Sequence, residues 1–225
     1  MPLRIENQLP VPGGHPRGLT FDGEALWVAC EEPLELLRIS PRDSKILSRV
    51  ALPIVTPRGL TWDPDLRVLW LVDTESRTLI EVDPSSGATG RSLDLPVMKG
   101  PSGVALRHGR FYMADLEAGE VVVVSYGSGE LRERWHVGRG VCGVEWWDRE
   151  LWIAEERGGR LVRLDPKRGI PAHAEPLPAP LRGRNLMGLT VDGEAFWIGD
   201  DTQGQILRLR PEGALAPGAV GRVPS

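Results

Sequence analysis

The sequence predicts an all-β fold, a five-bladed β-propeller with four antiparallel strands per blade. Three observations predict it. A segment built on a glycine recurs five times, as Gly18-Leu19-Thr20-Phe21-Asp22, Gly59-Leu60-Thr61-Trp62-Asp63, Gly103-Val104-Ala105-Leu106, Gly143-Val144-Glu145-Trp146 and Gly188-Leu189-Thr190-Val191-Asp192. The recurrences lie 41, 44, 40 and 45 residues apart, the length of a propeller blade. A strand-like segment without a repeat of its own stands ahead of the first glycine.

That orphan comes first in the chain. Residues 3–9 of Arg4-Ile5-Glu6-Asn7-Gln8-Leu9-Pro10 resemble the segments ending Ala51-Leu52-Pro53 and Asp94-Leu95-Pro96, each a few residues ahead of a repeat. It reads as the outermost strand, d, of the last blade, closing the ring and removing an exposed sheet edge. Strand a of each blade is the glycine segment. Asp22-Gly23 and Asp192-Gly193 are hairpin signals after it. Strand b is Leu26-Trp27-Val28-Ala29 and its counterparts beginning at Leu69, Phe111, Leu151 and Phe196. Strand c covers 36–39, 78–82, 121–124, 161–164 and 206–209. Turns such as Asp83-Pro84-Ser85-Ser86-Gly87 and Asp165-Pro166-Lys167-Arg168-Gly169 lead on to strand d. Strands b and c alternate only loosely, as in sheets covered on both faces. One propeller domain spans residues 1–225, with 212–225 as a tail or outer cover.

Bulk properties exclude several classes. A formal charge of −4 lacks the basic face of a nucleic-acid binder. No apolar run approaches the roughly 18 residues of a membrane span, and Met1 to Glu6 shows no signal-peptide apolar region. Cys30 and Cys142 are too few for a disulfide framework. A cytoplasmic monomer is expected, with a small molecule or a protein as partner.

The pattern Pro16-Arg17-Gly18-Leu19-Thr20-Phe21-Asp22-Gly23, then Leu26-Trp27-Val28-Ala29 and Leu37-Arg38-Ile39, is similar to the propeller group of NHL-repeat proteins, virginiamycin B lyase and glutamine cyclotransferases. The resemblance covers residues 16 to about 211 and implies the blade. Five blades resemble the glutamine cyclotransferase type. That family's Phe-Thr-x-Gly-Leu and Glu-Gly-Trp-Gly-Leu-Thr motifs are replaced here by Pro16-Arg17-Gly18-Leu19 and Asn185-Leu186-Met187-Gly188-Leu189-Thr190. Virginiamycin B lyase-like proteins hold magnesium with histidines and an acid, but His15, His108, His136 and His173 do not recur at matching positions. Neither activity is implied by the residues present.

Fold analogy places a site on the top face, where the d–a and b–c connections converge. The residues before the repeat glycines are Arg17, Arg58, Ser102, Cys142 and Met187. The ends of strand b carry Cys30, Asp73, Asp115, Glu155 and Asp200, with Glu31, Glu117, Glu156 and Asp201 beside them. Two readings of Asp73, Asp115, Glu155 and Asp200 stand. They form a carboxylate ring for calcium or magnesium, both oxygen-seeking ions, or they cap the b–c turns through backbone N–H groups. Arg17 and Arg58 can clamp an anion or pair with rim acids, and Cys142 and Asn185 complete the ligand-binding set. Glu145 stands where other blades have threonine or alanine, and a buried carboxylate there suits a general acid or base; its structural alternative is a salt bridge to Arg107. The repeated tryptophans read as inter-blade packing with satisfied indole N–H groups. The expected function is small-molecule binding on the top face, with or without a metal, extending to lyase, hydrolase or cyclotransferase chemistry. The alternative is a non-enzymatic protein-interaction or ligand-binding scaffold.

Overall fold

The computed structural model describes residues 2–156 and 159–212; most of the expected 212–225 tail lies outside the described residues. Twenty strands form five four-stranded antiparallel sheets. Strand β1 (Leu3–Pro10) opens the chain. Blade 1 contains β2 (Pro16–Phe21), β3 (Leu26–Cys30), β4 (Glu35–Ile39) and β5 (Ile46–Ala51). Blade 2 contains β6 (Pro57–Asp63), β7 (Val68–Asp73), β8 (Thr78–Val82) and β9 (Thr89–Asp94). Blade 3 contains β10 (Pro101–Arg107), β11 (Arg110–Asp115), β12 (Glu120–Ser125) and β13 (Leu131–His136). Blade 4 contains β14 (Val141–Trp147), β15 (Glu150–Glu155), β16 (Arg160–Asp165) and β17 (Ile170–Pro176). Blade 5 contains β18 (Leu186–Val191), β19 (Phe196–Asp200) and β20 (Gln205–Pro211), and β1 pairs with β20 as its outer strand.

The N-terminal closure is as expected, with a shift of register. Val11 N–H bonds to Gly204 O, just as Leu52 bonds to Leu34, Leu95 to Arg77, Val137 to Gly119 and Leu177 to Gly159. The counterpart of Leu52-Pro53 is therefore Val11-Pro12, not Leu9-Pro10. The slip is two residues, so the same side chains still face the core.

The repeat glycines have a steric cause. The inner strands β2, β6, β10, β14 and β18 touch one another in ring order. A Cβ on Gly18 would lie 2.6 Å from Arg58 O, on Gly59 2.0 Å from Ser102 O, and on Gly103 2.7 Å from the Gly143 Cα. On Gly143 it would lie 2.7 Å from the Leu189 Cβ. Each glycine thus faces the backbone of the next blade, and only a hydrogen fits. Every inner strand also shifts register beside its glycine, the signature of a bulge.

The core is a set of layers between blades rather than one central mass. Trp27, Leu36 and Leu52 of blade 1 pack on Leu60, Leu69 and Leu71 of blade 2, and four similar layers complete the circle. No blade buries both its faces alone.

The tryptophans divide into two groups. Trp27 and Trp197 donate their indole N–H groups to Asp22 and Asp192, each at 2.8 Å. The same carboxylates accept from Arg38 and Arg208 and cap their hairpins at Ala25 and Ala195 N–H. Trp70 and Trp152 have no indole partner among the described residues, which corrects the expectation of satisfied N–H groups throughout. In blade 2 the Tyr126 hydroxyl occupies the Asp63 carboxylate at 2.5 Å. In blade 4 Trp147 stands where blade 1 has Asp22.

Candidate functional site

The top face is built by a tie that repeats in every blade. The residue after strand b donates its N–H to the carbonyl two residues before the repeat arginine or its counterpart. The pairs are Glu31 to His15, Thr74 to Thr56, Leu116 to Gly100, Glu156 to Gly140 and Asp201 to Asn185. These ties hold the d–a and b–c loops together around the mouth of the ring, so their side chains share one small region.

The four predicted metal-binding carboxylates do not gather there. Asp73 accepts from Thr56 and Glu75 N–H. Asp115, fully buried, accepts from Lys99, Gly100 and Ala118 N–H. Asp200 accepts from Gln203 N–H, Arg184 and Gln205, and Glu155 holds Arg160 through both oxygens at 2.6 and 3.0 Å. Each is committed within its own blade to loop amides, arginine or glutamine. No group of three or more His, Cys, Asp or Glu among the described residues is placed to hold a metal ion. A resident calcium or magnesium does not fit this donor set; the turn-capping reading accounts for Asp73, Asp115 and Asp200, whereas Glu155 is taken by the Arg160 side chain.

Glu145 also stands apart from the mouth. It is three residues beyond Cys142 on β14, about 10 Å along an extended strand. Its neighbours explain it. Thr20 Oγ1 accepts Trp62 N–H at 3.1 Å and Thr61 Oγ1 accepts Leu106 N–H at 3.3 Å, so a hydroxyl latches each of these blades to the next. Ala105 has no hydroxyl. The amide it leaves, Trp146 N–H, is taken by Glu145 Oε1 at 2.8 Å, and the Thr190 hydroxyl donates to Glu145 Oε2 at 3.0 Å. Arg107 is not its partner; it bonds Asp148 O and lies 4.5 Å from the centre of the Trp146 ring.

The residue keeps partial exposure, but packed atoms surround the carboxyl itself. Burial pushes it up to about 7, against the lowering effect of its two hydrogen bonds. Protons are therefore bound more tightly in the folded state, so this group's stabilising contribution is complete below the unfolded value. It is lost as pH rises from about 4.5 through about 7. Glu145→Gln, which can keep both hydrogen bonds, is expected to remove a fall of roughly 1–3 kcal/mol over that window. Chemical denaturation of both proteins at pH 5 and pH 8 checks this. Parallel pH profiles would show that the carboxyl titrates normally.

At the mouth, Arg17 binds Glu31 from its own blade at 2.5 Å and Asp201 from blade 5 at 3.0 Å. Asp201 also meets His15 Nδ1 at 2.9 Å and Asn185 Nδ2 at 2.7 Å. Arg58 differs. Its guanidinium reaches past blade 1 to Met187 of blade 5, where a thioether sulfur at 3.5 Å is its hydrogen-bond acceptor. No ion pair to Arg58 exists among the described residues. Burial, then the charge of Arg17, pushes it below the ordinary arginine range, opposed by Glu31, Glu156 and Asp201.

Repeat logic explains the difference. Arg17 has an acid after strand b of its own blade and another in the preceding blade. For Arg58 the same positions are Thr74 and Glu31, and Arg17 already holds Glu31. Of the predicted ligand set, Arg17, Arg58 and Asn185 come together. Cys142 lies close enough for Arg58 to affect its thiol, but the group is buried, strongly raised in pKa and bonded to Ala154 O at 3.4 Å. Cys30 is likewise free and buried. His15 was not singled out by the sequence; its equivalence to Asn185, two residues before Arg17 as Asn185 is before Met187, was the available signal.

Three recesses lie at the opposite end, between blades. Grooves of about 570 and 580 Å³ run between blades 1 and 2 and blades 2 and 3, and one of about 340 Å³ between blades 5 and 1. Among their half-buried arginines, Arg38 is matched by Asp22 and Glu24 and Arg208 by Asp192 and Glu6, while Arg107 bonds the Asp148 carbonyl. Exposed large apolar residues such as Leu47, Val55, Leu66 and Leu131 fall on separate strands and loops. No helix among the described residues is long and apolar enough to cross a membrane.

Fold and mouth together define a five-bladed β-propeller with a charged top face. Among solved structures the chain is similar to the glutaminyl cyclase of Myxococcus xanthus, with a TM-score of 0.77 and 13% identity over 92% of this chain and 95% of that one. It is also similar to virginiamycin B lyase of Staphylococcus aureus, in a catalytically inactive form with quinupristin, with a TM-score of 0.55 and 20% identity over 90% of this chain and 68% of that one. A chain of a nidogen–laminin complex gives a TM-score of 0.63 and 15% identity over 84% of this chain and 73% of that one. Likeness at these identities is likeness of fold. No family model and no characterised protein sequence matches the chain.

Proposed function

We propose that this protein is a small-molecule-binding propeller whose top-face mouth takes an organic anion on Arg58. The observation that carries the reading is a half-buried guanidinium with no ion pair among the described residues, whereas Arg17, Arg38, Arg163, Arg184, Arg208 and Arg210 each hold an acid and Arg107 a backbone carbonyl and the Trp146 ring. A buried charge without a partner is unfavourable, and a ligand carboxylate or phosphate supplies that partner through a two-pronged hydrogen bond. Enzymes among the similar structures support extending the reading to catalysis of lyase or cyclotransferase type. The committed rim carboxylates support a version without a resident metal.

Arg58→Met tests the reading through two opposed effects. Removing an unpaired cation is expected to leave folding stability unchanged or raised by about 1 kcal/mol, the pattern of a binding residue kept at some cost to stability. The same change is expected to abolish binding of small carboxylates, followed by calorimetry or ligand-observed NMR. A destabilised variant that binds acetate as before would overturn the assignment.

A further inference from the structure

The mouth holds a second charge without a partner, and its sign is opposite. Glu156 follows strand β15 of blade 4 at the position of Glu31 and Asp201. Those two acids share Arg17. The arginine position of Glu156's own blade is Cys142, and that of the following blade is Met187. Glu156 consequently has no side-chain hydrogen bond or ion pair among the described residues, although its backbone N–H is tied to Gly140 O at 2.8 Å. Its carboxylate still interacts with Arg58 and with Cys142 across the mouth. The two departures from the repeat are complementary, one leaving an arginine without an acid and the other an acid without an arginine. Arg58 leans on Met187, one of the residues that replaced Glu156's missing arginine.

We infer that Arg58 and Glu156 are the two poles of a site for a small zwitterion, a molecule carrying a carboxylate and an ammonium group. The inference rests on the anion reading above and narrows its ligand class. Surrounding charge favours a zwitterion over a dianion. Arg17 and Arg58 face Glu31, Glu156 and Asp201, so the mouth without protonated His15 carries a slight negative excess. A second negative charge on the ligand meets repulsion there, whereas an ammonium group meets Glu156. Cys142 and Met187, both buried and weakly polar, offer the two poles no strong competing hydrogen-bond partner. A site whose polar groups are unpaired without the ligand's matching group discriminates strongly against analogues that lack it.

The experiment compares glycine, β-alanine, γ-aminobutyrate and glycine betaine with acetate and methylammonium on the full chain, by calorimetry or ligand-observed NMR. At least one zwitterion is expected to bind about tenfold more tightly than either single-charge probe, the size of one additional charge-assisted contact. Glu156→Gln is expected to bring that zwitterion down to the acetate level while acetate binding holds or improves. Arg58→Met is expected to abolish both. Zwitterions binding the unmodified protein no better than acetate would overturn this inference and leave the anion reading in place; that comparison needs no variant to fold. Failure of every carboxylate to bind would overturn both. A strong mutual coupling of Arg58→Met and Glu156→Gln in stability, with no ligand preference, would mark the two as partners of each other.

Discussion

Gly59→Ala is expected to prevent folding or to cost at least about 3–5 kcal/mol, the range of severe core disruption. The added Cβ would sit 2.0 Å from Ser102 O and 2.9 Å from both Gly103 C and Val104 N. All three are backbone atoms of the neighbouring inner strand, so no side chain can swing aside. Relief requires blades 2 and 3 to separate at the axis, and the other inner strands are closed around the same ring. Gly127→Ala is the matched control, because a Cβ there meets nothing within 4 Å and the backbone is not left-handed. Its expected change is within about 0.5 kcal/mol. Solubility and denaturant melts of the two variants decide the matter. Similar stability in both would show that the inner strands do not approach each other this closely.

Deleting residues 1–10 is the second large expected effect. It removes Leu9, fully buried between blades 5 and 1, and Leu3. It also strips the ladder from Leu3–Pro211 to Pro10–Gln205 and the pairing of Glu6 with Arg208 and Arg210. Strand β20 then becomes an open, apolar edge, a template for aggregation. The truncated protein is expected to be insoluble or to melt far below the full chain, and a peptide spanning residues 2–11 supplied in trans is expected to rescue it by strand addition. The gentler Leu9→Ala should cost about 2–5 kcal/mol, near 5–15 °C in Tm for a chain of this size. A truncated protein that melts within about 2 °C of the original would mean that the ring is closed without β1.

Much of this architecture was legible because propeller packing is local and repetitive. Each blade meets only its neighbours, so the same residue types return at the same positions, and the glycine, the hairpin aspartate and the strand-b aromatic can be read by aligning the chain with itself. The orphan N-terminal strand was legible for the same reason, although two X-Pro pairs, Leu9-Pro10 and Val11-Pro12, left its register to be decided by the Val11–Gly204 bond. The site was less legible. The sequence places Asp73, Asp115, Glu155 and Asp200 at equivalent ends of strand b, but whether such carboxylates converge on an ion or turn back on loop amides depends on side-chain direction. Glu145 drew attention as a departure from the repeat, yet its meaning lies in Ala105, one blade earlier, whose missing hydroxyl leaves an amide for it to take.

By itself, then, the sequence determined the number of blades, the strand order and the role of the N-terminal segment. The steric need for glycine at the axis and the repeated packing between blades impose a period on any chain that adopts this fold. Only the tertiary structure decided which charges at the mouth are matched. Pairing there is made partly between blades, as Arg17 with Asp201 and Arg58 with Met187, across loops more than a hundred residues apart in the chain, and a self-alignment records each position without recording what reaches it. Arg17 and Arg58 share the segment Pro-Arg-Gly-Leu-Thr. One is neutralised by two acids and the other faces the mouth alone, because a single acid, Glu31, can serve only the first.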